Sequence, residues 1–173
     1  MKFINPSTVV AQVGLKNGQT VADLGCGAGF YAIAAARLVG NGQVYAVDVQ
    51  DAKLAATQSA ARQNGLKNIT TIKADLDKPL LDIAESSCDA VILGSILHEI
   101  GSREALFKNA YRILKTGGKI LAVEWKKEMT PLGPPMDKRL AETELEQEFA
   151  KIGLRKEKSL PADSYHYAAV FIK

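Results

Sequence analysis

The sequence predicts an α/β fold in which helices cover both faces of a mostly parallel β-sheet. Three observations lead to this prediction. Apolar, β-branched segments alternate with helix-like segments along most of the 173 residues. A glycine-rich turn, DLGCGAG at 23–29, directly follows the first strand-like segment. The last two strand-like segments are separated by only a few residues, which predicts that they pair as an antiparallel hairpin.

The first half of the chain contains three strand-like segments with two helix-like segments between them. The strand-like segments are short and apolar, and they cover 20–24, 43–49 and 69–75. The helix-like segments are rich in alanine and end at glycines, and they cover 28–39 and 51–63. Upstream of them, Asn5–Pro6 is typical of a helix cap followed by the first helical residue.

The second half continues the alternation and adds the terminal hairpin. The continuous apolar run of 88–95 predicts a strand that is buried on both faces. Ser102 is the expected N-cap of a helix that runs to about Leu114, and Thr116–Gly117–Gly118 is the expected turn after it. The remaining elements are a strand at 119–125, a helix at 137–152, and strands at 154–160 and 165–173. The proline-rich segment 126–136 is too long for a simple turn, so we expect a lid loop there.

Composition and charge fit one globular domain with no marked preference for nucleic acid. The formal net charge is +3, and the lysines and arginines are dispersed along the chain. Cys26 and Cys88 lie outside any metal-ligand spacing, which predicts no metal site and a reducing compartment. The first ten residues lack the apolar core of a signal peptide, and no apolar run is long enough to span a membrane. We therefore expect one cytoplasmic domain at 1–173, and a homodimer is compatible with it.

Glycine-rich turns of this kind bind nucleotides at the carboxyl ends of the strands. A nicotinamide dinucleotide is the first candidate, since its fingerprint is G-x-G-x-x-G. Gly25 and Gly27 match the first two glycines, but Phe30 occupies the third position and the third glycine is Gly29. Asp23, just before the turn, would repel a pyrophosphate and attract a positively charged ligand.

These residues resemble those of the class I S-adenosylmethionine-dependent methyltransferases. DLGCGAG is similar to the family's D/E-x-G-x-G-x-G loop, and Asp48 matches the acidic residue that binds the ribose. Ala74–Asp75 resembles the pair beside the adenine. The resemblance covers about residues 6–172 and is strongest to the quinone-biosynthesis and small-molecule enzymes. It implies a Rossmann-like three-layer sandwich whose seven strands run in the order 3-2-1-4-5-7-6, with strand 7 antiparallel.

The resemblance also implies a cofactor site for S-adenosylmethionine, with S-adenosylhomocysteine as the product. Asp23 can attract the amino group, amides near residue 28 can face the carboxylate, and Asp48 can accept from both ribose hydroxyls. Asp75 can accept from the adenine amino group. The expected cofactor-binding residues are Asp23, Gly25, Cys26, Gly27, Gly29, Asp48, Val49, Ala74, Asp75, Leu76 and Gly94.

The methyl acceptor is expected at the same edge of the sheet, beyond strands four, five and seven. His98, Glu124 and His166 fall at that edge and are the candidate catalytic residues, with His98 the first choice for a general base. The two histidines are expected about two strand spacings apart, on the order of 10 Å. The candidate acceptor-binding residues are Trp125, which is expected between the histidines, Tyr165 and Met129.

Ordinary structural explanations stay open for these residues. The glycines could mark a tight turn in any α/β fold, and Asp48 could cap the helix at 51–63. His98 and His166 could be solvated rim residues, and Trp125 could pack on the proline-rich segment. The segment 126–136 could be a plain connector.

The expected function is methyl transfer to a small organic acceptor. The alternatives are a protein or RNA acceptor, a nicotinamide-binding protein, and a non-catalytic cofactor-binding subunit that activates a partner through an exposed apolar rim. The cysteines expected of an arsenite methyltransferase are missing, because Cys26 is in the glycine loop and Cys88 is at the wrong end of its strand. LHEI at 97–100 replaces the N/D-P-P-[Y/F] signature of amide and adenine N-methyltransferases, which disfavours those substrates.

Overall fold

A computed structural model describes residues 4–173 of the chain. The strands are β1 (Thr20–Leu24), β2 (Gln43–Asp48), β3 (Ile69–Lys73), β4 (Cys88–Gly94), β5 (Leu114–Trp125), β6 (Arg155–Leu160) and β7 (His166–Ile172). The helices are α1 (Pro6–Ala11), α2 (Phe30–Val39), α3 (Asp51–Gln63), α4 (Arg103–Ile113) and α5 (Glu142–Ala150), and a 3-10 turn covers Met136–Lys138.

The seven strands form one sheet in the order β3-β2-β1-β4-β5-β7-β6. The pairs among β1 to β5 are parallel, whereas β7 pairs antiparallel with both β5 and β6. The predicted fold class, strand order and terminal hairpin are therefore confirmed. Because β7 runs opposite to β5, Trp125 at the end of β5 lies beside His166 at the start of β7. Both residues lie at the carboxyl edge of the parallel strands.

Helices cover both faces of the sheet, and each face has its own apolar core. One core joins α1, α2 and α3 to the strands through residues such as Val10, Ala35 and Leu54. The other joins α4 and α5 to the opposite face, where the ring of Phe149 packs edge-on against Phe107 and Phe171 with centroids 4.7 Å apart in each pair. Successive residues of a strand point to opposite faces, so neighbouring residues at a strand end reach different sides of the sheet.

The helix starts follow the predicted caps. The side chain of Asn5 accepts a hydrogen bond from the amide of Thr8, and Pro6 is the first residue of α1. The hydroxyl of Ser102 accepts from the amide of Ala105 at the start of α4. Both caps were expected from the residue types that stabilise the free amides of a first turn.

The predicted turn at Thr116–Gly117–Gly118 is wrong, since these residues lie inside β5. The amide of Gly117 donates to the carbonyl of Lys173, and the amide of Lys173 donates to the carbonyl of Gly118. Pairing with the end of the chain therefore continues through the glycines. The register with β4 shifts between Cys88 and Ala90, which accommodates the additional residues of β5.

The predicted helix at 137–152 is also too long. Its first residues form the 3-10 turn at Met136–Lys138, and α5 begins at Glu142. The carboxylate of Glu144 accepts from the amide of Ala141 and fixes this later start. In the same way α2 begins at Phe30 instead of residue 28, because Gly29 has φ +83°. The strands predicted at 43–49, 69–75 and 88–95 end one or two residues earlier than expected.

Candidate active site

The glycine loop turns back on β2 immediately after β1. The amides of Gly25 and Cys26 both donate to the carbonyl of Val47, at 2.8 and 2.9 Å. Gly25 has φ +77° and Gly27 has φ +53°, in the left-handed region that favours glycine. A Cβ on Gly25 would lie 2.6 Å from Cδ1 of Ile96, whereas a Cβ on Gly27 would meet nothing within 4 Å. The loop is therefore packed on one side and open on the other.

Two side chains from the neighbouring segments hold this loop in place. Asp48, at the end of β2, accepts from the amide of Gly27 at 3.0 Å and from the amide of Gln50 at 2.9 Å. The hydroxyl of Thr57, fully buried in α3, donates to the carbonyl of Gly27 at 3.0 Å. A carboxylate offers about four acceptor positions, so Asp48 keeps two of them for a ligand. Thr57 was missed from the sequence, because a helical threonine carries no signal of its own.

Asp23 is the most unusual ionisable group of the loop. Its side chain is 1% exposed, and neither carboxylate oxygen accepts a well-aligned hydrogen bond within residues 4–173. Burial raises the pKa of Asp23 to about 7, the backbone amide of Ala32 opposes the rise, and the charge of Asp48 adds to it. A buried carboxylate without a partner is costly, so this position favours a positively charged ligand group.

Cys26 completes the loop as a structural residue. It is buried, and its thiol lies 3.8 Å from the hydroxyl of Thr57. Burial and then the charge of Asp23 raise the pKa of Cys26 to about 12, so the thiol stays protonated near neutral pH. Cys26 and Cys88 are both free.

A cleft of about 220 Å³ opens beside the loop at the carboxyl edge. Six of the eleven predicted cofactor residues line it, namely Gly25, Asp48, Val49, Ala74, Asp75 and Leu76. The segment after β4 forms the facing wall through Ile96, Glu99, Ile100 and Gly101. This wall was missed from the sequence, because only the fold brings residues 96–101 against residues 74–77.

Asp77 joins the two walls of the cleft. Its carboxylate accepts from the amide of Ser102 at 2.7 Å, and its own amide donates to Asp75 at 3.1 Å. A salt bridge to Lys78 lowers the pKa of Asp75, which is solvent-exposed. Asp75 is therefore ionised at neutral pH and available as an acceptor.

His98 and Glu124 form a pair on the acceptor side of the cleft. Nδ1 of His98 lies 3.0 Å from Oε2 of Glu124, whose side chain is fully buried. An ionised carboxylate only accepts, so Nδ1 donates, and Nε2 is the basic atom of the neutral ring. Nε2 lies 3.5 Å from Oε1 of Glu99, which lines the cofactor cleft. The pair thus connects the buried end of β5 to the cleft.

The groups around His98 shift its pKa in opposite directions. Burial opposes protonation, but the hydrogen bond and the charge of Glu124 outweigh it and raise the pKa of His98 above its usual value. Glu99 adds to the rise, and Arg139 opposes it. His98 is therefore a stronger base than a free imidazole, held in one orientation by Glu124.

His166 forms a second histidine–carboxylate pair, separate from the first. Its Nδ1 lies 2.8 Å from Oδ1 of Asp163, which also accepts from the amides of Tyr165 and His166. The ring of His166 lies against Trp125 with centroids 4.1 Å apart and ring planes tilted by 47°, and the ring of Tyr165 lies 6.4 Å from Trp125. Trp125 therefore contacts His166, while the ring of His98 is held by Glu124.

The ring of Tyr31 lies against Gly94 at the end of β4, and the sequence did not single it out. A Cβ on Gly94 would lie 2.5 Å from the ring of Tyr31, so the glycine makes room for this ring. Burial, followed by the charges of Asp23, Glu124 and Asp163, raises the pKa of Tyr31. Its place directly after the glycine loop was the signal that could have identified it.

Met129 and Trp125 are the remaining residues that were predicted to bind the acceptor. Met129 is 91% exposed, and Gly133 packs against the indole ring of Trp125. The packing explanation for Trp125 is therefore partly right.

Within residues 4–173, no group of three or more His, Cys, Asp or Glu side chains is arranged to hold a metal ion. No helix in that range is long and apolar enough to cross a membrane.

These groups fit S-adenosylmethionine. Asp23 supplies an unpartnered buried carboxylate for the ammonium group. Asp48 keeps free acceptor positions toward the cleft for the ribose diol. The first-turn amides of α2, which have no side-chain cap, suit a carboxylate.

The family described as "Methyltransferase domain" matches residues 15–163 of the chain. The ubiquinone/menaquinone biosynthesis C-methyltransferase UbiE of Klebsiella pneumoniae is 31% identical over 127 residues, which are 72% of this chain and 49% of that protein. UbiE of Salmonella arizonae is 28% identical over 162 residues, which are 92% of this chain and 61% of that protein. The chain thus spans about half the length of the first of these relatives.

Solved structures agree with the sequence relatives. A SAM-dependent methyltransferase from Aquifex aeolicus superposes with a TM-score of 0.88 at 28% identity, covering 99% of this chain and 91% of that one. Together with the glycine loop, Asp23 and Asp48, these matches show that the chain belongs to the class I S-adenosylmethionine-dependent methyltransferases.

Proposed function

We propose that this chain transfers a methyl group from S-adenosylmethionine to a small organic acceptor that loses a proton in the reaction. The observation that carries the proposal is the pairing of His98 with Glu124 beside the cofactor cleft. An acceptor atom that already has a free lone pair can be methylated without a base. A hydroxyl oxygen or an acidic carbon must lose a proton, and a base is needed to accept it. A histidine oriented by a buried carboxylate supplies one.

Each residue then has a definite role. Asp23 and Asp48 bind the amino group and the ribose of the cofactor, which supplies the methyl group when bound, and Asp75 accepts from the adenine. His98 takes the acceptor proton on Nε2, and Glu124 stabilises the resulting imidazolium. His166, oriented by Asp163, is a second candidate for contact with the acceptor.

The acceptor side of the proposal draws on the relatives and on the rim. The names of the relatives concern quinone biosynthesis, which favours an aromatic hydroxyl compound or its ring carbon as the acceptor. Trp125, Tyr165 and Met129 would contact it, with 126–136 bordering the site. We further propose a single methyltransferase domain at 1–173 in a cytoplasmic, reducing setting, in keeping with two buried free cysteines.

Exposed apolar side chains favour a second candidate function, in which this rim binds a macromolecule. Phe30 is 70% exposed and Met129 is 91% exposed, and both follow carboxyl ends of strands. Large exposed apolar side chains around a site are typical of an interaction surface. The rim would then bind a protein or RNA acceptor, or a partner that this chain activates.

One experiment separates these functions. The protein is incubated with S-adenosylmethionine and a panel of soluble quinols, phenols and carboxylic acids, and S-adenosylhomocysteine formation is measured against His98→Gln. Turnover with a panel member that His98→Gln abolishes supports the first proposal. Cofactor binding by calorimetry without turnover on any panel member would overturn it in favour of a macromolecular role.

A further inference from the structure

Arg139 is a buried charge without an acidic partner. Its side chain is 4% exposed, and no carboxylate within residues 4–173 pairs with it. Burying a guanidinium is costly unless its donors are satisfied by other oxygens. The residues that satisfy it therefore show what this arginine does in the fold.

All of its hydrogen bonds go to the segment that precedes it. Nε donates to the carbonyl of Pro134 at 2.7 Å, and Nη2 donates to the carbonyl of Leu132 at 2.8 Å. Nη1 donates to the carbonyls of Lys126 and Glu128 and to the hydroxyl of Thr130, at 3.1, 2.9 and 2.8 Å. The accepting residues are 126, 128, 130, 132 and 134, which are alternate positions of one continuous segment. The chain is thus wrapped around the guanidinium.

The wrapped segment also packs on Trp125. Gly133 has φ +99°, and a Cβ there would lie 2.5 Å from Cε3 of the indole, so only glycine allows this approach. The guanidinium carbon of Arg139 lies 5.7 Å from the centroid of the same ring. Trp125 is therefore enclosed by His166, Gly133 and Arg139.

We propose that Arg139 is a positioning residue of the acceptor site, and that its guanidinium holds residues 126–134 as a fixed wall against Trp125. The inference depends on the proposed function only in taking Trp125 as part of the acceptor site. A wall that is already ordered lets a small acceptor bind without the entropic cost of ordering a loop. It also keeps water from one side of the reacting groups.

The fork shape of arginine is essential to this role. A guanidinium presents five donors in one plane, whereas a lysine presents its donors from a single nitrogen. Lysine at 139 could replace the bonds of Nη1 but could not also reach Pro134 and Leu132. The wall should therefore depend on the shape of the side chain as well as on its charge.

Trp125 is the single tryptophan of the chain, so its fluorescence reports on this wall directly. The variants are Arg139→Gln and Arg139→Lys. Arg112→Gln is the matched control, because Arg112 donates to the carbonyls of Leu80 and Ile83 at the opposite end of the sheet. Acrylamide quenching of Trp125, trypsin cleavage after Lys126 and Lys127, and calorimetric binding of S-adenosylhomocysteine are measured for each protein.

Both Arg139 variants should raise the quenching constant by about twofold to threefold and speed cleavage at 126–127, as expected when a segment opens locally. The affinity for S-adenosylhomocysteine should stay within about twofold of wild type, since residues 126–134 do not line the cofactor cleft. Arg112→Gln should leave the quenching and the cleavage unchanged. If Arg139→Gln does not fold, Arg139→Lys supplies the same comparison.

Quenching and cleavage that are unchanged in Arg139→Lys and Arg139→Gln would overturn the proposal. These two measurements need no acceptor, so they hold even if the proposed function fails. With an acceptor that is turned over, such as a soluble dihydroxynaphthalene, Arg139→Lys should raise the KM for the acceptor and leave the KM for S-adenosylmethionine unchanged. A fall in kcat alone would instead mean that Arg139 acts on the chemistry and not on the wall.

Discussion

Nδ1 of His98 lies 3.0 Å from the carboxylate of Glu124, which is fully buried at the end of β5. The two residues are 26 positions apart in the sequence. Their pairing fixes the tautomer of His98 and leaves Nε2 toward the side of the cleft. It also gives the buried carboxylate of Glu124 a hydrogen-bond partner in the protein interior.

Replacing His98 by glutamine should lower kcat about 10²- to 10⁴-fold, the usual contribution of a general base. Binding of S-adenosylhomocysteine should remain within about twofold of wild type, because His98 does not line the cofactor cleft. Glu104→Gln is a suitable control, since the Glu104 side chain is 78% exposed, pairs with Lys108 and does not line the cofactor cleft. Equal kcat in His98→Gln and wild type would remove His98 from the mechanism.

Glu124→Gln should shift the pH dependence of the reaction. The raised pKa of His98 depends mainly on Glu124, so the variant should titrate at lower pH and its activity should reach a plateau at lower pH. The raised pKa also stabilises the fold below the usual histidine pKa of 6.5, and this contribution is lost as pH rises through the folded value. NMR titration of the His98 imidazole checks the prediction, and an unchanged titration in Glu124→Gln would contradict it.

Asp23 should make cofactor binding depend on pH. Its pKa of about 7 in the free protein means that a proton must leave before an ammonium group can pair with the carboxylate. Affinity should therefore fall by about tenfold per pH unit below pH 7. Calorimetry of S-adenosylhomocysteine binding between about pH 5 and 7 measures this slope. Asp23→Asn should bind weakly with a flat profile; a wild-type slope in that variant would show that another group titrates.

The same group should affect folding stability in the absence of ligand. Between its ordinary pKa of 3.8 and the folded value of about 7, Asp23 holds a proton in the native state that the unfolded chain has lost. The free energy of unfolding should therefore decrease as pH rises from about 4 to 7. Asp23→Asn should reduce that decrease in urea titrations, and an identical pH dependence in both proteins would argue against the raised pKa.

Asp48→Ala should weaken binding of S-adenosylmethionine by about 1.5–3 kcal/mol, the usual value for hydrogen bonds to a charged group. The loss has two sources, since Asp48 also accepts from the amide of Gly27 and holds the glycine loop. Asp51→Ala is the matched control, because it removes a nearby exposed carboxylate that pairs with Lys73. Calorimetry that finds equal affinity in Asp48→Ala and Asp51→Ala would exclude Asp48 from the site.

Gly25→Ala should be more damaging than Gly14→Ala. Both glycines have φ near +80°, so each substitution costs about 1–2 kcal/mol in backbone strain. Only at Gly25 would the new methyl group lie 2.6 Å from Ile96, which lines the cleft. Urea unfolding should show the larger loss for Gly25→Ala, together with weaker S-adenosylhomocysteine binding. Equal losses at the two positions would mean that Ile96 moves away without consequence.

The sequence by itself determined the alternation of strands and helices, the glycine loop and the acidic residues at the strand ends. These features are local: a run of β-branched residues, an Asn–Pro cap or a turn of glycines has its effect wherever the segment lies. The resemblance carried by DLGCGAG and Asp48 then supplied the strand order. This is why β1, β2 and the loop at 23–29 were predicted nearly residue by residue.

Only the tertiary structure decided which groups act together. His98 pairs with Glu124 and His166 with Asp163, while the sequence placed His98, Glu124 and His166 on one rim without showing which of them pair. The helix predicted at 137–152 begins only at Glu142, and Arg139 before it directs its side-chain donors to the preceding segment. Asp23 has its raised pKa from burial beneath α2. Hydrogen bonds between distant segments and the exclusion of water arise only when the chain is packed, so no local pattern records them.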